Sequence, residues 1–238
     1  MSDDWAIGVM ARAPSPGVCK TRLAPLIGDA GAARLSQRLI THTLRTACVS
    51  APGRVTLFTA GDAPQAPWSR WQRRFGVRVR PQVGGDLGSR MHGALAHLLT
   101  QAGRALLIGT DCPALGAGDL QAAAQALTRA RMVFVPAEDG GYVLVGARRI
   151  NAGAFAGIPW GTARVMACTR AVLAADAWRA GREWLELPTL WDVDRPDDLR
   201  RAVAAGLLPA RLLKPSASGG RELTLGKPSP RQSRRRGR

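Results

Sequence analysis

The loop Pro14-Ser15-Pro16-Gly17-Val18-Cys19-Lys20-Thr21-Arg22-Leu23 places two cations shortly after a glycine, behind the apolar run Trp5–Met10. Glycine lets backbone N–H groups approach a phosphate, and Lys20 with Arg22 supplies the positive charge to hold it. A Walker A loop would carry glycine immediately before the lysine, where Cys19 stands, so P-loop kinase chemistry fits poorly. No GxGxxG follows any strand-like run either. The alternative for this loop is an ordinary solvated basic turn. Asp111 ends the strand-like run Arg104–Ile108 within Gly109-Thr110-Asp111-Cys112-Pro113. Ligands of open α/β sheets sit beyond the carboxyl ends of strands, so an acid there could hold a divalent cation or merely cap a turn. Magnesium is commonly held by one or two carboxylates plus substrate phosphates, which calls for a second acid.

Trp191-Asp192-Val193-Asp194-Arg195-Pro196-Asp197-Asp198-Leu199 supplies it. In an extended Asp-x-Asp both carboxylates point to one side, so Asp192 and Asp194 are metal candidates, with helix capping as the alternative. Asp197 and Asp198 read as structural acids in a first helical turn. Glu138-Asp139-Gly140-Gly141-Tyr142 is a hairpin turn or a binding loop, in which Tyr142, the only tyrosine, could stack on a base or sugar. Gly85-Asp86-Leu87-Gly88-Ser89-Arg90-Met91 is a glycine-rich entry to a helix N-terminus, suited to an anion. Arg90 opposes the helix dipole there, which favours a functional role. His42, His92 and His97 form no triad with Ser or Cys. Cys112 reads as a small buried residue rather than a nucleophile.

Strand-like runs alternate with helical patterns, the signature of βαβ units and a mostly parallel sheet. Strands are expected at Trp5–Met10, Arg54–Ala60, Val77–Val79, Arg104–Ile108, Met132–Val135, Tyr142–Val145 and Trp184–Leu187. Helices are expected near Ala30–Val49, Ser89–Thr100, Asp119–Ala130 with Asp119 as N-cap, Thr162–Arg179 and Arg195–Ala205 with Pro196 in its first turn. Beyond Leu213 the composition turns to Lys, Arg, Ser, Gly and Pro, which predicts a folded unit over 1–213 and a disordered basic tail over 214–238.

The 238 residues carry 34 Lys+Arg against 17 Asp+Glu, a net charge of +17. The tail holds 8 basic residues and 1 acid; only three of the 34 cations are lysines, Lys20, Lys214 and Lys227. Arginine richness of this kind fits compositional drift at least as well as selection for nucleic acid. No apolar run reaches the ~18 residues of a membrane span. An acidic start without an apolar h-region argues against a secretory signal, and four scattered cysteines without a CxxC argue against zinc or a disulfide framework. A cytoplasmic protein without a membrane partner is expected.

Taken in order, Pro16-Gly17 with Lys20-Thr21-Arg22-Leu23, Gly85-Asp86-Leu87-Gly88 with Arg90-Met91, Gly109-Thr110-Asp111-Cys112-Pro113, Glu138-Asp139-Gly140-Gly141-Tyr142, Pro159-Trp160-Gly161-Thr162 and Asp192-Val193-Asp194 with Pro196-Asp197-Asp198-Leu199 resemble one family. They look like the DUF2064 proteins, the "transferase 1, rSAM/selenodomain-associated" group often labelled glycosyltransferases. That group is similar to nucleotide-diphospho-sugar transferases of the GT-A fold. More weakly, it resembles guanylyltransferases of deazaflavin-cofactor synthesis and cytidylyltransferases of sugar acids.

The resemblance implies a single Rossmann-like α/β/α sandwich with a mixed, mostly parallel sheet. It implies a nucleotide, either an NTP or an NDP-sugar, a small-molecule acceptor, and Mg²⁺ or Mn²⁺. Gly17, Lys20 and Arg22 would cradle phosphates, with Pro16, Thr21, Gly85, Asp86, Arg90, Asp139, Gly140, Gly141 and Tyr142 around the nucleotide and substrate. Asp111 would hold the metal, with Asp194 the better-aligned second ligand and Asp192 in reserve. Glycosyl and nucleotidyl transfer both remain open. So do a nucleic-acid-binding protein acting through its basic tail and an inactive scaffold on the same fold.

Overall fold

The computed structural model describes residues 4–61 and 67–213. The stretch 214–238, read above as a disordered tail, and the acidic start at 1–3 lie outside the described residues. Among the described residues seven strands form one sheet: β1 (Trp5–Arg12), β2 (Val55–Ala60), β3 (Arg78–Pro81), β4 (Arg104–Ile108), β5 (Met132–Pro136), β6 (Tyr142–Ala147) and β7 (Trp184–Glu186). Their order is β3-β2-β1-β4-β6-β5-β7. Only β6 runs against its neighbours, pairing antiparallel with both β4 and β5. This is the mixed, mostly parallel sheet expected from the sequence.

Among the described residues there are six α-helices: α1 (Ala24–Ser50), α2 (Trp68–Phe75), α3 (Leu87–Leu99), α4 (Ala117–Ala126), α5 (Val165–Ala175) and α6 (Pro196–Ala204). Strand alternation sorts the two faces. Ile7, Val9, Leu106, Ile108, Val133 and Val135 point to the side where Ile40 and Leu44 of α1 and Leu120 of α4 pack. Ala6, Leu107, Phe134 and Val145 point to the other, against Met91, Leu95 and Leu98 of α3 and Leu173 of α5. Each such leucine removed from water contributes about 1.5–3 kcal/mol. A third cluster joins Leu35 and Leu39 of α1 to Leu199 and Ala202 of α6 through Val193, so α6 rides on α1 rather than on the sheet.

Several boundaries differ from expectation for local reasons. The helix expected from Ala30 begins as a separate turn at Ala24, and Gly28 breaks the two pieces with φ 72°, ψ 162°. Asp119 is not the N-cap of α4: Gly116 is, and the Asp119 carboxylate accepts from the Gly116 N–H at 2.8 Å. A glycine cap has no side chain to announce it, and its reciprocal acid was read in its place. The helix expected over Thr162–Arg179 is limited to α5, because the Thr162 hydroxyl accepts from the Arg164 N–H and holds an irregular turn ahead of it. α2 is an element beyond the sequence expectation, with Trp68, Trp71 and Phe75 at helical spacing.

Candidate functional site

The strand order reverses between β1 and β4, which is where open α/β sheets bind ligands. A cleft of about 430 Å³ opens there, and its wall includes Lys20, Arg90, Asp111, Tyr142 and Asp194. Three of the segments around it bring the Lys20 cation and its neighbouring acids together. The loop after β1 brings Lys20, the end of β4 brings Asp111, and the approach to α6 brings Asp192 and Asp194.

Lys20 is the hinge of the arrangement. Its backbone is left-handed, φ 51° and ψ 39°, which is uncommon for a residue with a side chain. The side chain is only 5% exposed; Nζ lies 2.9 Å from Asp111 Oδ2 and donates to the Val193 carbonyl at 2.6 Å. The second cation of the loop, Arg22, stays in solvent and pairs with Asp194 at 2.5 Å.

The Asp-x-Asp segment reaches this place because it is laid along the sheet. Leu190 exchanges hydrogen bonds with Pro136 and Glu138 at the end of β5, and the Val193 N–H donates to the Asp111 carbonyl at 2.8 Å. Val193 is fully buried, so in extended chain Asp192 and Asp194 face the opposite way. A clamp holds the segment down: Arg201 of α6 makes two hydrogen bonds to the Glu138 carboxylate and lies 4.2 Å over the Trp191 ring.

Asp194 lines the cleft, whereas the half-buried Asp192 is outside its lining. Burial, and then the Asp111 charge, push the Asp192 carboxyl up to about 7, with Lys20 pulling in the opposite direction. Among the described residues no three His, Cys, Asp or Glu side chains are placed to hold a metal by themselves. Two oxygen donors on the cleft wall, each already satisfied by one positive group, are nevertheless the donor chemistry that suits magnesium or manganese completed by substrate phosphates.

The remaining sequence-predicted positions divide. Arg90 enters the cleft wall, with its Nε donating to the Gly85 carbonyl at 3.0 Å. Tyr142 is in the wall too, but its ring is packed edge-on against Phe134 at 5.3 Å and Trp160 at 6.2 Å, and burial pushes its phenol up. Asp86 caps α3, accepting from the Ser89 N–H at 2.8 Å, which holds its carboxyl below the usual range. Asp139 Oδ1 accepts from the Gly141 N–H in a local turn. Gly140 has φ +88°, and a Cβ there would meet the Ala163 carbonyl oxygen at 2.1 Å. Its own carbonyl accepts from Met166 at the start of α5, so packing accounts for this glycine. Pro16, Gly17 and Thr21 are exposed around the bend of the loop, outside the cleft lining.

Cys112 is buried, and burial with the nearby Asp192 charge raises its thiol to about 12, as an inert core residue requires. His92 and His97 pack edge-on against Phe155 and Phe58. Asp198 accepts from the N–H groups of Asp194 and Arg195, capping α6. Arg12 and Gln82, at the ends of β1 and β3, line the cleft unannounced. For Arg12 a signal existed: it is a charge closing an apolar strand at its carboxyl end.

No helix among the described residues is long and apolar enough to cross a membrane. No curated protein matches the chain. The chain is similar to the crystal structure of a candidate nucleotide-diphospho-sugar transferase from Desulfovibrio desulfuricans G20, with 27% identity, a TM-score of 0.75, and 89% of this chain and 90% of that one covered. Two more distant structures share the fold. A nucleotidyl transferase from Methanothermobacter thermautotroptrophicus has 13% identity and a TM-score of 0.58 over 87% of this chain and 99% of that one. A cytidylyltransferase from Leptospira borgpetersenii has 13% identity and a TM-score of 0.55 over 85% and 87%. The family model for uncharacterised proteins conserved in bacteria, DUF2064, matches residues 43–162, from the middle of α1 through β4 and Asp111 to the turn before α5, and the chain belongs to that family.

Proposed function

We propose that the chain is a divalent-metal-dependent transferase whose cleft takes the phosphates of an activated nucleotide, with glycosyl transfer from an NDP-sugar to a small acceptor as the leading reaction. The observation that carries this reading is the pair of cleft carboxylates, Asp111 and Asp194, each holding a cationic group from the loop after β1. The likeness to the D. desulfuricans protein supports the donor class. A bound magnesium or manganese ion would be held by Asp111 and Asp194, with Asp192 behind them, and would neutralise diphosphate charge as a Lewis acid.

The chain's own residues do the rest. Lys20, fixed by the Val193 carbonyl, keeps a positive charge at the phosphate end of the cleft. Arg12 and Arg90 present guanidinium groups on the same wall, suited to bind and orient anionic oxygens. Leu87, Met91 and Tyr142 give that wall an apolar face against a sugar or base and exclude water from it.

Nucleotidyl transfer from an NTP is the second reading. Lys20 and Arg22 in one loop favour it, because a triphosphate brings more charge to neutralise than a diphosphate.

A thermal-shift panel of the four NTPs and common NDP-sugars, with and without Mg²⁺, separates these readings. A ligand at ~100 times its Kd adds about 2.7 kcal/mol. Metal-dependent stabilisation by an NDP-sugar supports the leading reaction, and by an NTP the second. The Asp111→Asn variant should stay folded and lose the metal-dependent shift and at least about 100-fold in turnover, the scale of several kcal/mol that such a metal supplies. Silence from every ligand would return the chain to the scaffold reading.

A further inference from the structure

A hollow of about 330 Å³ adjoins the cleft. Arg12, Val18, Ala60 and Arg90 line both spaces, and Ala13, Ser15 and Gly61 complete the hollow. Lys20, Asp111 and Asp194 line the cleft alone. Backbone bonds fix the frame. The Ala13 N–H donates to the Ala60 carbonyl at 3.0 Å, tying the loop after β1 to the end of β2, and the Ser15 carbonyl accepts from the Val18 and Cys19 N–H groups at 3.2 Å.

Two guanidinium groups on the wall of so small a space repel each other until something negative lies between them. None of the described lining residues is acidic. Arg22, in the same loop, has its carboxylate in Asp194, whereas neither Arg12 nor Arg90 joins an ion pair among the described residues. Arg90 is held by its own loop: its Nε donates to the Gly85 carbonyl at 3.0 Å, which leaves its Nη N–H groups to a ligand. Arg12 closes β1 at its carboxyl end and is exposed. Paired guanidiniums are the chemistry that recognises phosphate and carboxylate oxygens, and Ser15 adds a hydroxyl to the same lining.

We infer that the hollow holds an oxyanion carried by the acceptor, so that the second substrate is a small phosphate ester or carboxylate rather than a neutral molecule. This rests on the reading of the cleft as the donor site. On that reading the donor's diphosphate lies with Lys20, Asp111 and Asp194, and its sugar or base against Leu87, Met91 and Tyr142. None of these six lines the hollow, so its two cations are left for the other substrate. Val18 is 56% exposed and stands where the two spaces meet. An acceptor anchored by its anion extends past this apolar side chain into the cleft.

The experiment is a melting-temperature titration of the full chain in EDTA, without nucleotide, using glycerol, glycerate and glycerol phosphate at constant ionic strength. Glycerol should have no effect, at least one of the anions should stabilise the protein, and the more effective anion names the headgroup. Arg12→Gln and Arg90→Gln should each weaken that anion at least about tenfold, the scale of one lost hydrogen bond to a charged group. Arg129→Gln/Arg149→Gln, which removes more charge from exposed positions elsewhere, should leave its affinity unchanged, and Asp111→Asn should not weaken it. Arg12 makes no side-chain bond among the described residues, so Arg12→Gln keeps the test decisive even where Arg90→Gln disturbs the entry to α3. Equal stabilisation by glycerol, no response to either anion, or a full response in both arginine variants would overturn the proposal. So would loss in Asp111→Asn, which moves the anion into the cleft, or its exclusion by a bound NDP-sugar with Mg²⁺, which assigns it to the donor. Silence from every NDP-sugar would sink the donor reading alone, since the metal-free titration judges the hollow by itself.

Discussion

The cleft and the α1–α2 groove are both built around cations, and they treat them in opposite ways. In the cleft, Lys20 and Arg22 are each held by an acid from a distant part of the chain. In the groove between α1 and α2, arginines face arginines, and none of the described lining residues is acidic. The cleft therefore stores its attraction for a ligand as internal ion pairs that substrate and metal must rearrange, which favours selectivity. The groove gathers like charge on one described wall, which favours reach and salt sensitivity. The lesson is that a net charge of +17 says little until each cation's partner is known.

Breaking the two regions in turn should show the contrast, and the largest effect belongs to Lys20. Lys20→Met leaves Asp111 without its partner next to the half-buried Asp192. Removing one member of a fully buried pair destabilises by 3–5 kcal/mol. Asp111 keeps 48% of its side chain exposed, so about 1–3 kcal/mol is expected from chemical denaturation. The matched groove change, Arg38→Met, should stay within about 0.5 kcal/mol. Equal losses at both positions would erase the distinction.

The second test uses pH. The Asp192 carboxyl is raised from the ordinary carboxylate range to about 7, so the folded protein binds a proton there that the unfolded chain has already lost. Stability must then fall as pH rises from about 4 to 7 and level off above. His42 and His97, whose values are lowered, contribute with the opposite sign. The readout is therefore the melting temperature of the parent minus that of Asp192→Asn without added metal, which should fall as pH rises across that window, the variant gaining on the parent. A difference that does not change with pH would mean Asp192 is ionised throughout.

The smallest effect is expected at Arg22. Both partners of its pair with Asp194 keep much of their surface in water, so Arg22→Met should cost at most about 1 kcal/mol, and less at high salt. A larger or salt-independent loss would place Arg22 with Lys20 in the structural part of the site.

Much of this was legible because periodicity and breakers coincide. β4 matches its expected span of Arg104–Ile108, since five residues between a glycine and Gly109-Thr110-Asp111 leave the strand no freedom to slide. The convergence of the basic loop, Asp111 and Asp-x-Asp followed from their places at strand ends. Which acid meets which cation did not, because the left-handed turn at Lys20 decides that, and a lysine gives no sign of φ 51°. α2 escaped notice because Arg70, Arg73 and Arg74 mask the spacing of its aromatic residues. The groove escaped with it, since a row of arginines on α1 gains meaning only when a second helix is laid beside it. Gly140 was legible as a turn, but its closeness to Ala163 belongs to α5 and to no local pattern.

The bond from Lys20 to the Val193 carbonyl spans 173 residues of chain. At about 5–20 residues per second of synthesis, Lys20 waits on the order of ten to thirty-five seconds in the emerging polypeptide before its acceptor is made. Until then the ammonium has Asp111 at most for company. The last-made of the described α-helices, α6, arrives just after the segment that closes the site, so a nascent chain stopped short of that segment would own the sheet and lack the finished floor. Competence for ligand is thereby tied to completion of the fold, a property that stalled-ribosome complexes of increasing length would read out directly.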